Sequence, residues 1–145
     1  MIERKIAIDV FNRIRNSFPN LNITLNPEDP HVEISMDIPS QHGLKFSVNL
    51  NLQNNDELHL NAGALWVEWF PCNQPEKVEK YFESVCGLLS GNYRIVEYRV
   101  HGKAIKALLQ KPIGTEWETI NRWSKLHWPT FVKRDIIIIQ NIPAP

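Results

Sequence analysis

Between Leu21 and Ala62 apolar residues fall on every second position, and this alternation constrains the fold more than any other feature of the chain. It runs through Leu21, Ile23 and Leu25, then Val32, Ile34, Met36 and Ile38, then Leu44, Phe46, Val48, Leu50 and Leu52, then Leu58, Leu60 and Ala62. A period of two turns one row of side chains to a core and the other to water, the mark of half-buried strands. Turn-forming clusters, Asn26 to Pro30, Pro39 to Gly43 and Gln53 to Glu57, separate the four segments. Links this short join antiparallel neighbours, because a parallel crossover needs about a dozen residues or more.

The pattern also proposes registers. Setting Ile38 opposite Leu44 aligns Met36 with Phe46, Ile34 with Val48 and Val32 with Leu50, and places Asp37 against Lys45 on the other face. Setting Leu52 opposite Leu58 aligns Leu50 with Leu60 and Val48 with Ala62. On the outward face these registers form one row of His31, Asn51 and His59 and a second of Glu33, Asn49 and Asn61. Past Gly63 the alternation fails, since Ala64, Leu65, Trp66, Val67, Trp69 and Phe70 are apolar on both parities, which suggests a bulge or a strand end covered on both sides.

Elsewhere the period is helical. Ile2, Ile6, Val10, Ile14 and Phe18 form one stripe, stopped by Pro19. Asn73 and Glu76 have capping-box spacing ahead of Val78, Tyr81, Phe82, Val85, Leu88 and Leu89, and Gly91 closes that helix. A hairpin follows, with Gly102-Lys103 as a type II′ turn and Arg99 facing Lys106. Thr115 and Glu118 repeat the capping spacing before Trp117, Ile120, Trp123 and Leu126, predicting a third, shorter helix. Ile136 to Ile139 reads as a last strand buried on both faces, its neighbours in the sheet left open. The expected fold is a single α+β domain over residues 1–145, a largely antiparallel sheet with helices on one face, in the order α-β-β-β-β-α-β-β-α-β.

Composition sets limits on function. The chain has 145 residues, with 16 Lys+Arg balancing 16 Asp+Glu, so a general polyanion binder is not expected. The balance is uneven along the chain: residues 1–91 hold 7 Lys+Arg against 12 Asp+Glu, and residues 92–145 hold 9 against 4. No apolar block has the length of a signal h-region or of a membrane span, which needs about 20 residues. Cys72 and Cys86 would lie along one helix, too far apart to pair, so free thiols and a cytoplasmic location are expected.

Chemistry-bearing patterns are sparse. Histidines 31, 42, 59, 101 and 127 show no metal-ligand spacing, and no GxSxG, GxGxxG or GxxxxGK[ST] occurs, so neither metal nor cofactor is expected. Cys72 is the one catalytic candidate, because a thiol preceding a helix is activated by the N-terminal amides and dipole. Trp117, Trp123 and Trp128 are interleaved with Arg122, Lys125, His127, Lys133 and Arg134. Trp117 is assigned to the core, whereas Trp123 and Trp128 fit either a core or an exposed anchor for a partner.

The element order is similar to that of secretion-chaperone and small bacterial immunity-protein domains, a resemblance of fold that carries no activity. The function expected from the residues is a non-enzymatic binding module, adaptor, chaperone-like or immunity-like. A protein partner or a second copy would dock on Arg99, Lys106, Arg122, Trp123, Lys125 and Trp128; membrane association is not expected and nucleic acid is disfavoured. The alternative is a small-ligand-binding domain, or a thiol-dependent enzyme using Cys72, with a pocket between sheet and helices.

Overall fold

In the computed structural model, which describes residues 1–125 and 132–142, two helices and nine strands build two antiparallel sheets. The elements are α1 (Ile2–Ser17), β1 (Thr24–Asn26), β2 (Ile34–Ile38), β3 (Val48–Gln53), β4 (Glu57–Ala62), β5 (Leu65–Trp69), α2 (Pro75–Ser90), β6 (Arg94–Val100), β7 (Lys103–Ile113), β8 (Glu116–Ser124) and β9 (Asp135–Ile139). The first sheet runs β1-β2-β3-β4-β5 and the second β8-β7-β6-β9. The α+β class holds, with antiparallel strands and both helices on one face of the first sheet.

The alternating residues behave as their period demands. Ile34, Met36, Ile38, Leu50, Leu52, Leu58 and Leu60 are buried against Val10, Phe11 and Ile14 of α1 and Tyr81 and Val85 of α2. The β3–β4 register is the expected one, Leu52 with Leu58, Leu50 with Leu60 and Val48 with Ala62. The β2–β3 register differs by four residues, with Ile38 opposite Val48 and Met36 opposite Leu50. Leu44 is buried all the same, in a separate tight turn whose ends, Gln41 and Leu44, exchange two backbone hydrogen bonds of 2.9 Å. An even slip leaves every side chain on its expected face, so the hydrophobic pattern does not register it. The Asp37–Lys45 pair is lost with that register.

Gly63 begins a turn rather than a bulge, and β5 returns as an edge strand with Leu65 and Val67 inward. α2 starts after Gln74 with no side-chain cap, so the Asn73–Glu76 box does not form; Pro75 in the first turn and Gly91 at φ 86° mark its ends.

The second sheet corrects three expectations. Its first hairpin turns at His101-Gly102, both at positive φ (52° and 79°), the type I′ signature. Ile105 is then an extra residue, so Lys106 pairs with Tyr98 and Arg99 with Ala104. The expected third helix is strand β8, joined to β7 through Gly114. A bulge at Ile120 explains the misleading spacing: an inserted residue brings Ile120 and Trp123, three apart, against the same core, as a helix turn would. β9 is an edge strand antiparallel to β6, and Ile136 and Ile138 are 61% and 48% exposed instead of doubly buried.

The two sheets share one core, since Ile95, Ala107 and Leu109 pack with the residues of the first. Glu97 joins them, accepting the Ala64 amide of the β4–β5 turn at 2.8 Å. A Cβ on Gly63 would lie 2.5 Å from the Glu97 carboxylate, at a φ of +56°. Gly63→Ala should therefore cost about 1–2 kcal/mol for the backbone and about 1 kcal/mol or more for the displaced hydrogen bond. Gly114→Ala, at φ +58° with nothing within 4 Å of its Cβ, should show the backbone cost alone. Equal losses for the two variants in urea unfolding would remove Glu97 from the account.

Candidate functional site

Among the expected docking residues the bulge at Ile105 decides which side each one faces. Cross-strand partners share a face, so the row Ile136, Tyr98, Lys106, Ser124 and the row Ile138, Val96, Leu108, Arg122 lie on the side of the second sheet turned away from the helices. Lys106 sits over the Tyr98 ring at 4.9 Å, and Arg94, on the same side, sits over Trp117 at 4.1 Å. Trp117 is thus half-buried beneath a cation, outside the shared core to which it was assigned. Val96 and Leu108 in the middle of this face are buried, while Arg122 and the isoleucines at its margins are exposed. By the strand parity no Asp or Glu of the described residues lies on it.

Arg99 and Trp123 face the other way. Arg99 donates two hydrogen bonds to Glu97, at 3.0 and 2.7 Å, so its counter-charge is in its own strand. Trp123 packs half-buried against the core, Lys125 is exposed with its amide on the Ile105 carbonyl, and Trp128 lies outside the described residues. The six candidates therefore do not form one cluster; Lys106 and Arg122 share the outward face.

Cys72 is fully buried, and burial, then the charges of Glu3 and Asp56, push its thiol above the usual range. Cys86 is pushed up to about 11, chiefly by burial. The small cleft of about 220 Å³ beside Cys72 is lined by Ile6, Asn73, Pro75, Val78 and Glu79, none of them a general base of the histidine type. A larger cleft of about 380 Å³ does lie between α2 and the second sheet, with Lys80, Glu83, Lys111 and Glu118 around Trp69 and Tyr93, but Cys72 is not part of it. The thiol borders the small cleft instead.

The outward face of the first sheet is ordered beyond what its sequence suggested. Ser35, Asn51, His59 and Glu68 form one row and Asp37, Asn49, Asn61 and Trp66 the next; His31 and Glu33 are displaced from the rows by the four-residue slip. His59 is buried, and its Nδ1 accepts the Trp66 indole N–H at 2.7 Å. Indole is a donor only, so the His59 proton is on Nε2, which donates to Glu57 at 2.9 Å. Hydrogen bonds from Asn54 and then His59 hold the Glu57 carboxyl below its usual value. With both ring nitrogens engaged, His59 orients Trp66 and has no free nitrogen for proton transfer. No three His, Cys, Asp or Glu side chains among the described residues come together as metal ligands.

At neutral pH the native thiols should be alkylated at least about tenfold more slowly than free cysteine, the rate rising once the chain is unfolded. A native Cys72 rate equal to that of free cysteine would restore a reactive nucleophile. No family model, no curated protein and no solved structure matches the chain, so the likeness of its element order to other domains assigns it to no family.

Proposed function

We propose that the protein is a non-enzymatic binding module of the cytoplasm, an adaptor, chaperone-like or immunity-like domain, that holds an extended acidic segment of another protein along β9. The observation that carries the reading is the state of that strand. β9 is an edge with Ile136 and Ile138 about half exposed or more and Ile137 also open; its one charged residue, Asp135, stands at its first position, and it contains none of the lysine, proline or bulge that ordinarily protects an edge. Unpaired N–H and C=O groups on such a strand accept an added strand, with alternate side chains giving selectivity.

Charge favours an acidic partner. Lys133 and Arg134 precede β9, and Lys106 lies two strands in from Ile136, beyond Tyr98, on the face turned away from the helices. Arg99 adds nothing to this field, because Glu97 neutralises it. The segment that fits has aliphatic residues on one parity, to meet Ile136 and Ile138, and carboxylates within reach of the cations. In a pairing of this kind electrostatics sets partner choice and association rate more than total affinity.

Selection from a display library of extended peptides against the full chain tests this. It should return aliphatic sequences interspersed with Asp and Glu, binding with affinity that falls as salt rises. The double variant Lys106→Glu/Arg134→Glu should weaken that binding at least about tenfold, and Ile136→Asp/Ile138→Asp should abolish it with the melting temperature unchanged. A basic consensus, or acidic peptides indifferent to both variants, would overturn the proposal. Sedimentation revealing a dimer that Ile138→Asp disrupts would assign the edge to a second copy instead.

A further inference from the structure

The outward face of the first sheet carries an inference independent of the docking edge. Its twelve positions, Thr24 and Asn26 on β1 through Trp66 and Glu68 on β5, include no lysine or arginine, and four of them are Asn26, Asn49, Asn51 and Asn61. Asparagine is among the residues strands disfavour, and two of these sit on β3 in the middle of the sheet. Threonine meets water at lower cost in a strand. Local choices made against propensity are expected where a site imposes them.

The amides are also oriented. Both carboxylate oxygens of Asp37 are acceptors, and they take Asn49 Nδ2 at 2.7 Å and Asn26 Nδ2 at 2.8 Å. Asn49 must therefore turn its Oδ1 the other way, where it receives Asn51 Nδ2 at 3.0 Å and Asn61 Nδ2 at 3.4 Å. Donation runs toward Asp37 from each side, and the carbonyl oxygens of Asn51 and Asn61 are left facing away from it. Asn51 Oδ1 is buried and has no donor among the described residues, a circumstance that costs about 1–3 kcal/mol unless another group supplies the hydrogen. Beside Asp37, Asn49 and Asn61 opens a cleft of about 450 Å³ whose remaining walls, chiefly Ile38, Pro39, Val48, Ala62 and Gly63, are mostly apolar. That volume lies within the range of small-molecule sites. Trp66, the cross-strand partner of Asn61 on the same face, is 52% exposed, with its plane held by the His59 bond.

We propose that this face binds a neutral polyhydroxylated ligand of mono- or disaccharide size, its hydroxyls on the asparagine amides and its C–H face on the Trp66 ring. The chemistry follows from the polar residues of the face. Hydroxyls donate and accept, as amides do, and the free valences of the network are chiefly acceptors, which call for O–H groups. The absence of lysine and arginine from the twelve positions works against phosphate and other anions. Of the three carboxylates on the face, Asp37 has both oxygens on amides and Glu57 is bonded to Asn54 and His59, which weakens their attraction for a cation. A fixed indole supplies the apolar plate that a sugar ring needs and a linear polyol does not use.

The test is a titration of the full chain with glucose, galactose, N-acetylglucosamine, maltose and cellobiose, read from the side-chain amide and indole N–H resonances. At least one should shift the Asn49, Asn61 and Trp66 signals saturably, with a dissociation constant on the order of 1 mM. Trp66→Ala and Asn61→Ala, both outward and outside the core, should each weaken it about tenfold or more. Trp66→Phe, keeping a plate but releasing His59, should fall between. The melting temperature of each variant separates loss of ligand from loss of fold. Two results would overturn the inference: no saturable shift with any saccharide, or shifts of the same signals by spermidine alone, which would make the site one for cations. Neither bears on peptide binding at β9, which is on the other sheet.

Discussion

The relation between the two sheets rests on Glu97. Its carboxylate is 1% exposed, and removing an ion from water costs several kcal/mol unless its oxygens are matched. One oxygen takes the Ala64 amide from the first sheet and the other takes Arg99 from its own strand. The match requires Gly63, since any Cβ there would displace the acceptor. A second polar clamp acts beyond β9, where the buried Asn141 donates to the carbonyls of Gly43 and Leu89 and accepts the Lys45 amide. Three backbone groups from a loop of the first sheet and the end of α2 are satisfied by that one side chain. Between the two clamps the cores of the sheets are continuous.

Much of this fold was legible because the first sheet obeys a strict period. The β3–β4 register could be read to the residue, since a three-residue turn leaves little freedom. The β2–β3 register could not, because Leu44 and Phe46 continue the alternation into a loop and an even slip preserves both faces. In the second sheet the failures share one cause. Each bulge inserts a residue, and each moves a side chain by one face: Arg99 parts from Lys106, and Ile120 falls into step with Trp123. Inserted residues break parity without changing composition, so β8 imitates a helix in sequence. The four isoleucines of β9 state a preference for burial, but how many neighbours the last strand finds is settled by the rest of the chain.

The candidate sites were legible to the same extent. Asn51 beside His59, and Asn49 beside Asn61, followed from the register that was read correctly. Trp66 was hidden because both parities are apolar after Gly63, which obscured a separate strand turning at that glycine. With β5 recognised as a strand, Asn61 and Trp66 become partners and the indole comes within reach of His59. Cys72 was suggested by its distance from a helix start, a criterion that ignores burial. Its surroundings are apolar and acidic, and both influences oppose a thiolate.

The neutral total charge conceals a division that the architecture makes spatial. Each sheet is built from one continuous stretch of chain, so the acidic and basic halves of the sequence become separate faces instead of mixing. The first sheet turns outward no lysine or arginine, and the second, by its described residues, no carboxylate. At physiological ionic strength the screening length is about 8 Å, so the two faces act on solutes separately through their fields. Mechanically they are not separate. Gly63 lines the cleft of the first sheet, and the position of its absent Cβ is 3.2 Å from Ile139 Cδ1 at the end of β9 and nearer still to Glu97. The turn that borders the cleft is therefore packed against both the end of β9 and the carboxylate that joins the sheets.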